Sequence, residues 1–437
     1  MTRVYLDHNA TTPLRPEARA LLLDRLDRLA GNPSSVHHAG REARAWLDEA
    51  RERAAAALGV HEDEIVFTGG GTEAIHLALL GAMRARGPDS AVVTTAIEHS
   101  AVLGIGEVLA AGDASSTSST SAASAASSTS SSSTSSASSP TPAGHPRPPQ
   151  AAAAPSGPAS ATRFHAVGVD REGVVDVEAL IDAARARPTA VVSVQAANNE
   201  IGTLQPLATV AARLADLGNS RPLLHTDAVQ AVGRVPFRPR HLPVDLASIS
   251  AHKFGGPLGV GLLYKRKGVT LVPTTQGGGQ ESGLRPGTEN VPAICAAALA
   301  LELAVAEQAD YARRTCELSR SFWEQLRAVL PRTELHGPPI DADTRLPNTL
   351  NVALANADGR AIDGRVLVAR LDLEGLEVSA GSACASGSLE PSHVLVALGH
   401  ANDRARAAIR VSLGRTTSST DIHTAVDILR TTFLALR

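Results

Sequence analysis

The residue types in this 437-residue chain that are best suited to covalent chemistry are a lysine and a cysteine, Lys253 and Cys384. Lysine occurs only at positions 253, 265 and 267, and arginine is the basic residue elsewhere. An arginine keeps its proton, whereas a lysine amine can lose it and form an imine with a carbonyl group. Lys253 ends the run Ser250-Ala251-His252-Lys253, so it is a candidate for a Schiff base with a carbonyl cofactor. Its position alone is equally compatible with an ordinary surface charge.

Cys384 lies among small residues, in the run Ser379-Ala380-Gly381-Ser382-Ala383-Cys384-Ala385-Ser386. Such a composition is typical of a mobile, exposed loop, where a thiol can act as a nucleophile or redox centre. A chance exposed cysteine is the weaker alternative. Cys295 lies in an alanine-rich apolar run and is predicted to be a core residue, and Cys316 lies on a polar helix and is predicted to be inert.

Three further polar features lie where apolar segments end. The turn Gly69-Gly70-Gly71-Thr72 opens a helix and suits a phosphate group, although glycine turns often serve geometry alone. Asp227 could pair with a protonated ring nitrogen, or it could cap the next helix. His99 could stack on a ring or move protons, but a lone histidine in a loop more often does neither. Taken together with Lys253, these are the parts that a pyridoxal phosphate (PLP) site requires.

Arg410 stands between Ile409 and Val411 in an apolar strand. A guanidinium group in such a place needs a partner, which could be a substrate carboxylate bound through two hydrogen bonds. A buried ion pair is an equally good explanation of the residue.

The segments that position these residues alternate between short apolar strands and helices. Strands are predicted at 64–68, 91–95, 164–169, 190–194, 223–226, 246–250 and 260–264, with helices at 41–58, 74–84, 177–186 and 206–217. This alternation predicts an α/β domain around a largely parallel sheet. Functional residues gather at the carboxyl ends of strands in such sheets, which is where the pattern puts Thr72, His99, Asn199, Asp227 and Lys253.

Helices predicted at 291–307 and 311–330 lead into a second part with strands at 348–354 and 408–413, which we interpret as a smaller α+β domain. We expect the large domain to span 15–305 and the small domain to combine 1–14 with 306–437. The stretch 114–162 is almost wholly Ser, Ala, Thr, Pro and Gly and has one formal charge, Arg147. It cannot bury enough apolar surface to fold, so it is predicted to be a disordered insertion.

The composition excludes several classes of protein. A hydrophobic content of 43% and a net charge of −3 are typical of a soluble globular protein, without the basic excess of a nucleic-acid binder. No signal peptide is evident, and the most apolar stretch, 294–306, is too short to span a bilayer. Three cysteines argue against a disulfide framework and favour a reducing, cytoplasmic location.

The motifs Ser-Ala-His-Lys at 250–253, Asn-Asn-Glu-Ile-Gly at 198–202 and Gly-Ser-Ala-Cys at 381–384 are jointly similar to those of the NifS/IscS-type cysteine desulfurases. The resemblance runs from Tyr5-Leu6-Asp7 to Arg415 and leaves out only the insertion. It implies the PLP-dependent aminotransferase fold of type I, class V, with a mainly parallel seven-stranded sheet in the large domain. It also implies PLP as cofactor and conversion of L-cysteine to L-alanine, with the sulfur left as a persulfide.

The resemblance assigns five residues to the cofactor ring and to proton transfer. Lys253 would form the imine, Asp227 would pair with the pyridine nitrogen, and His99 would stack on the ring and move protons. The phenolic oxygen of the ring would accept hydrogen bonds from Gln230 and Asn199.

The remaining implied roles concern the phosphate, the substrate and the sulfur. The phosphate would be held by Gly71, Thr72, Ser250 and His252, and Thr288 would reach it from the other subunit of a homodimer. The substrate carboxylate would be bound by Arg410 and Asn9. Cys384 would carry the persulfide, and it could transiently ligate a cluster, although no resident metal is expected.

The expected partners are L-cysteine, a second copy of the chain and a sulfur-acceptor protein, either an iron–sulfur scaffold or a thiolation enzyme. No membrane or direct nucleic-acid contact is expected. One alternative is another class V aminotransferase or lyase, such as a selenocysteine lyase, which would not need Cys384. A scaffold that has kept the fold without catalysis is a further alternative.

Overall fold

The computed structural model describes residues 3–110, 163–355, 362–381 and 390–436. The predicted insertion at 114–162 and the predicted nucleophile Cys384 both lie outside these ranges.

The described residues form short strands and longer helices, numbered here in chain order. The strands are β1 (Val4–Tyr5), β2 (Ile65–Thr68), β3 (Ala91–Thr95), β4 (Phe164–Val167), β5 (Thr189–Ser193), β6 (Leu223–Asp227), β7 (Leu246–Ser250), β8 (Gly261–Lys265), β9 (Glu334–His336), β10 (Thr349–Ala353), β11 (Leu376–Glu377) and β12 (Ala408–Ser412). The helices are α1 (Pro16–Arg28), α2 (His38–Leu58), α3 (Gly71–Arg86), α4 (Ser100–Ala110), α5 (Val177–Arg185), α6 (Leu207–Ala215), α7 (Val291–Ala306), α8 (Gln308–Val329), α9 (Gly364–Leu373), α10 (His393–Ala397), α11 (Asn402–Arg406) and α12 (Ser419–Ala435).

Seven of these strands form one sheet, in the order β2-β8-β7-β6-β5-β3-β4. Strands β3 to β7 are parallel to their neighbours in that group, whereas β8 is antiparallel to both β7 and β2. The central strands β3, β5 and β7 are buried along their whole length, because helices cover both faces of the sheet. The α/β class and the mainly parallel seven-stranded sheet predicted from the sequence are confirmed.

Helices form a layer on each face of this sheet. Helices α3 and α4 pack on one face, around Val92 and Val191. Helices α2, α5, α6 and α7 contribute to the core on the other face. Helix α7 is apolar nearly all round, and α1 and α2 cover the side that faces away from the sheet. It is therefore a core helix.

A second core surrounds a three-stranded antiparallel sheet in the order β12-β10-β9. Helices α8, α9 and α12 contribute Phe322, Leu371 and Leu429 to it. Strand β1, from the start of the chain, pairs in parallel with β11 and buries Leu6 in this core. Residues near both ends of the sequence therefore meet in the same hydrophobic cluster.

Several element boundaries differ from the predictions, and one difference affects the site. Helix α3 begins at Gly71 instead of residue 74, so Gly71 and Thr72 belong to its first turn. Helices α10 and α11 have five residues each and were not predicted, since a single turn is too short to give a detectable periodicity.

Among the described residues, no single helix is both long enough and apolar enough to cross a membrane. Helices α7 and α8 reach that length and composition only as a pair bent by 66°.

The docking of the first strand makes a specific contribution to stability that can be measured. Leu6→Ala should lower the free energy of unfolding by about 2–5 kcal/mol, because Leu6 is 0% exposed in the smaller core. Leu373→Ala is the matched control, because this leucine of α9 is 70% exposed, and we expect a change within ~0.5 kcal/mol. Equal effects of the two substitutions in urea unfolding would contradict the burial of Leu6.

Candidate active site

A cavity of about 1030 Å³ lies where the carboxyl ends of strands β5, β6 and β7 approach the start of α3. Eleven of the residues predicted for the site line it, namely Asn9, Gly71, Thr72, His99, Asn199, Asp227, Gln230, Ser250, His252, Lys253 and Arg410. Thr288 does not line this cavity, and its hydroxyl accepts a hydrogen bond from Asn32 Nδ2 at 3.4 Å. Cys384 lies outside the described residues.

Lys253 is positioned by the single 3-10 turn Ala251–Lys253 that follows β7. Its Nζ donates hydrogen bonds to the carbonyl oxygens of Asn9 at 2.6 Å and Ala10 at 2.7 Å. The amine is thereby held at the cavity wall by the loop that follows β1.

Asp227 is the last residue of β6, and its carboxyl group is buried. Its Oδ1 accepts the N–H of Val229 at 2.9 Å. Burial raises the pKa of Asp227, and the nearby charges of His99 and Lys253 and the Val229 hydrogen bond offset this only in part. A cationic N–H group in the cavity would therefore be a favourable partner for this carboxylate.

The first turn of α3 forms another part of the cavity wall, beside Ser250, and is a candidate anion site. The helix has no side-chain cap at Gly70, so its first N–H groups are available to a ligand. A Cβ on Gly71 would come within 3.0 Å of Val229 Cγ2 and 3.3 Å of Ser250 Cβ, which explains the glycine. Thr72 and Ser250 add hydroxyl groups to the same wall.

His252 lies beside Lys253, and its Nδ1 is 3.1 Å from the hydroxyl of Thr11. Burial lowers the pKa of His252 to about 4, and the positive charges of Lys253 and Arg234 contribute to the shift. The imidazole is therefore neutral at neutral pH, so it can offer an N–H group without adding a charge.

His99 stands between β3 and α4, and its Nδ1 accepts the N–H of Ala101 at 3.1 Å. In the neutral ring the proton therefore resides on Nε2. The preceding Glu98 is fully buried, and its Oε1 accepts from Thr95 Oγ1 and Gln195 N, each at 2.9 Å. Burial raises the pKa of Glu98 to about 8, so this carboxyl is largely protonated at neutral pH.

Arg410 is 0% exposed in β12, and the buried ion pair, one of the two explanations left open by the sequence, is present. Its Nη2 forms an ion pair with Asp7 Oδ1 at 2.6 Å, and Nη1 donates to Asn199 O at 3.3 Å. It also lines the cavity, and its Nε has no hydrogen-bond partner among the described residues.

The side chain of Asn9 is already engaged with protein groups. Its Nδ2 donates to Thr349 Oγ1 at 2.9 Å and Asn199 O at 3.0 Å, and its Oδ1 accepts from Arg234 at 2.9 Å and Asn348 at 3.2 Å. The side chain fixes the loop between the two sheets, and its amide offers little further capacity for a substrate carboxylate.

Two residues beside the cavity hold the chain where it leaves the segment that contains Cys384. Ser392 Oγ donates to Glu200 Oε2 at 2.6 Å, and His393 Nε2 lies 3.0 Å from the carbonyl oxygen of Glu98. Both contacts reach neighbours of cavity residues, since Glu98 precedes His99 and Glu200 follows Asn199. The start of α10 is therefore tied to the cavity wall.

Sequence reasoning missed Arg234, Glu98 and Glu200, which are buried beside the cavity. A charged residue inside an apolar run was a usable signal for Arg234, which follows Ala231-Val232-Gly233. No local signal identifies Glu98 or Glu200, because their roles depend on contacts with Gln195 and Ser392.

Of the other cysteines, Cys295 is buried, which raises the pKa of its thiol to about 11. No cluster of three or more potential metal ligands occurs in the described ranges.

The comparisons with known proteins agree with one another. The sequence pattern of the family described as Aminotransferase class-V matches residues 4–113 and 157–424, and the gap falls within the predicted insertion. The chain is 38% identical over 438 residues to the cysteine desulfurase IscS of Dictyoglomus turgidum (strain DSM 6724 / Z-1310), which covers 99% of this chain and 95% of that protein. A solved NifS-like protein is 32% identical with a TM-score of 0.78, covering 100% of both chains. A structure of SspA in complex with cysteine is 26% identical with a TM-score of 0.68, covering 94% of this chain and 99% of that one.

The anion site at α3 can be tested by filling the space that Gly71 leaves open. Gly71→Ala should weaken binding of PLP by roughly tenfold, since overpacking of this kind typically costs about 1–3 kcal/mol. Binding is measured by absorbance titration of the full-length chain, and urea unfolding checks that the fold is retained. Gly104→Ala, in α4 with no heavy atom within 4 Å of the added methyl, is the matched control and should bind PLP normally. Unchanged affinity in Gly71→Ala would rule out this wall as the phosphate site.

Proposed function

We infer that this chain, which belongs to the class-V aminotransferase family and within it to the cysteine desulfurases, removes sulfur from L-cysteine with pyridoxal phosphate as cofactor. The observation that carries this is the convergence of Lys253, Asp227 and the first turn of α3 on one cavity. An amine, a buried acid and an anion site at separate walls are what a phosphorylated pyridine aldehyde requires.

The residues present fit this cofactor. The carboxyl of Asp227 is buried, and within the described residues its hydrogen bond comes from Val229 alone, so a protonated ring nitrogen supplies the cation that it lacks. Bound PLP supplies an electron-withdrawing ring that stabilises negative charge at the substrate Cα.

The side chains around the cavity then have distinct tasks. Lys253 would hold the carbonyl group of the cofactor, and its free amine would move the proton at the substrate Cα. Asp227 keeps the ring nitrogen protonated, and His99 covers the ring and moves protons through Nε2. Asn199 and Gln230 orient the ring oxygen. The phosphate is bound by Gly71, Thr72, Ser250 and His252.

Arg410 binds the substrate carboxylate and Cys384 takes the sulfur. Support for Arg410 is its place in the cavity wall and its Nε, which lacks a partner among the described residues. Asn9 contributes by holding the carbonyl group that binds Lys253. The Cys384 thiolate attacks the substrate sulfur and the C–S bond breaks. The electron pair of that bond stays with the substrate carbon, which takes up a proton. L-cysteine and the enzyme thiol thus give L-alanine and an enzyme persulfide, without an added oxidant or reductant.

The active form is a homodimer in the cytoplasm, in which Thr288 reaches the phosphate of the other subunit. Support comes from the place of Thr288 outside the cavity of its own chain. In addition, Leu258 at the cavity wall is 74% exposed, as expected of a residue that a second subunit covers. The persulfide passes to an acceptor protein, either an iron–sulfur scaffold or a thiolation enzyme.

Removal of the nucleophile separates this function from other chemistry on the same fold. Cys384→Ala should keep the yellow colour of bound PLP but lower the rate of L-alanine and persulfide formation by at least ~1000-fold. Cys316→Ala is the control, since that thiol lies on α8 away from the cavity, and it should react normally. Normal desulfuration by Cys384→Ala, or a keto acid in place of L-alanine, would refute the proposal.

The dimer is tested by complementation between two defective chains. Lys253→Ala and Thr288→Ala should each bind PLP poorly as pure proteins, for different reasons. When the two are produced together, a mixed dimer contains one intact site, so roughly a quarter of normal sites should return at random pairing. Sedimentation should give about twice the mass of 45.1 kDa. A monomer with bound PLP, or no recovery of sites in the mixed dimer, would contradict the shared site.

A further inference from the structure

Arg234 is a buried guanidinium group beside the cavity that has no acidic partner in the part of the chain that the structure describes. The residue is 3% exposed, and the hydrogen-bond acceptors of its nitrogens among the described residues are all neutral. Burial lowers the pKa of Arg234, and the charge of Arg410 acts in the same direction. An arginine nevertheless remains protonated in proteins, so a positive charge is held here by neutral acceptors.

Those acceptors come from three separate segments around the cavity. Nη1 donates to Oδ1 of Asn9 at 2.9 Å and to Oε1 of Gln230. Nη2 donates to the carbonyl oxygens of His8 and Lys253, each at 3.3 Å. One side chain thus joins the loop after β1, the turn after β6 and the turn after β7.

These contacts determine which way two amide groups face. A guanidinium group has donors only, so the atoms it contacts on Asn9 and Gln230 must be their oxygens. The NH2 group of Gln230 is consequently turned away from Arg234, and its Nε2 donates to Asn9 O at 3.1 Å. The same carbonyl oxygen accepts from Lys253 Nζ at 2.6 Å.

The charge of Arg234 also reaches the other ionisable groups that face it. His8 and His252 both have a pKa lowered to about 4, first by burial, and the charge of Arg234 contributes in each case. Tyr311 of α8 is buried, which raises the pKa of its hydroxyl group. Arg410 is paired with Asp7, and Lys253 and Arg314 are further cations nearby. Arg15, which is paired with Glu307, and Arg415 line a small cavity together with Arg234.

We propose that Arg234 is a positioning residue that orients the amides of Gln230 and Asn9 and, through its uncompensated charge, favours the uncharged form of the Lys253 amine. The inference rests on the proposed function, because it takes Lys253 as the amine that bonds the cofactor. An uncharged amine is the form that attacks a carbonyl group. The positive charge of Arg234 repels a protonated Lys253 and so favours the uncharged amine, although Arg234 takes no part in the reaction.

The charge is tested by competitive labelling of amines with acetic anhydride in the cofactor-free, full-length chain at pH 7.5. Lysine occurs at only three positions, so the label on Lys253 is resolved by mass spectrometry, with exposed Lys267 as the internal reference. Arg234→Gln should reduce labelling of Lys253 relative to Lys267 on the order of tenfold, the size of effect expected of one nearby unit charge at an effective dielectric constant near 20. Gln230→Ala removes one contact of Arg234 but leaves its charge in place, so labelling of Lys253 should stay within about twofold of the wild type.

The orienting role is tested by the affinity for PLP. Arg234→Lys loses the planar guanidinium group that holds the two amide oxygens, so it should weaken binding severalfold. Gln230→Ala should weaken binding in the wild type but add little in the Arg234→Lys background, because the two residues act together. The variant Arg234→Lys keeps this test open even where Arg234→Gln does not fold.

Two results would overturn the inference, namely normal Lys253 labelling in folded Arg234→Gln, or additive effects of the Arg234 and Gln230 substitutions. Failure of the proposed function is a separate result, because it would appear as a wild-type chain that forms no L-alanine from L-cysteine.

Discussion

The architecture of the site depends on the amide group of Asn9, which is satisfied from four sides inside the protein. It bonds Asn348 and Thr349 at the start of β10, the central strand of the three-stranded sheet, as well as Asn199 after β5 and Arg234 after β6. Its main-chain oxygen accepts the Lys253 amine. Because a buried amide left without partners is costly, the loop after β1 has one position between the two sheets. That position sets where Lys253, Gln230 and Arg410 stand relative to one another.

Several ionisable groups at the site are buried without a directly bonded partner of opposite charge. Asp227 and Glu98 are buried acids with raised pKa values, so folding favours their protonated forms and their ionisation lowers stability as the pH rises. A cationic ring nitrogen beside Asp227 would instead favour the ionised form of its carboxyl group. His225, buried between Ser193 and Ser248, has its pKa lowered to about 3 by burial and is neutral at neutral pH. Stability from such a histidine is lost as the pH falls below its unfolded value of about 6.5. Cofactor binding and folding are therefore electrostatically linked in this chain.

The sequence predicts those parts of the fold and site that depend on local pattern. The apolar strands are short and separated by helices, so the parallel sheet and the residues at its strand ends, such as Asp227 and Lys253, could be inferred. The start of α3 was placed three residues late, because glycine is a poor helix former even when the backbone approaches its neighbours closely, as at Gly71. Arg234 and the Glu200–Ser392 contact could not be inferred, because each depends on residues that are distant in sequence. The distinction is physical, since periodicity reports burial but does not identify the partner of a buried charge.

The pairing of β1 with β11 has a consequence for protein synthesis. Asp7 and Arg410 are 403 positions apart, yet they form one of the contacts that close the cavity. On the ribosome, the loop that holds Lys253 stays without its final partners until β11 and β12 have been translated. Cofactor capture should therefore follow the synthesis of β12, and a polypeptide that stops after the seven-stranded sheet should emerge colourless.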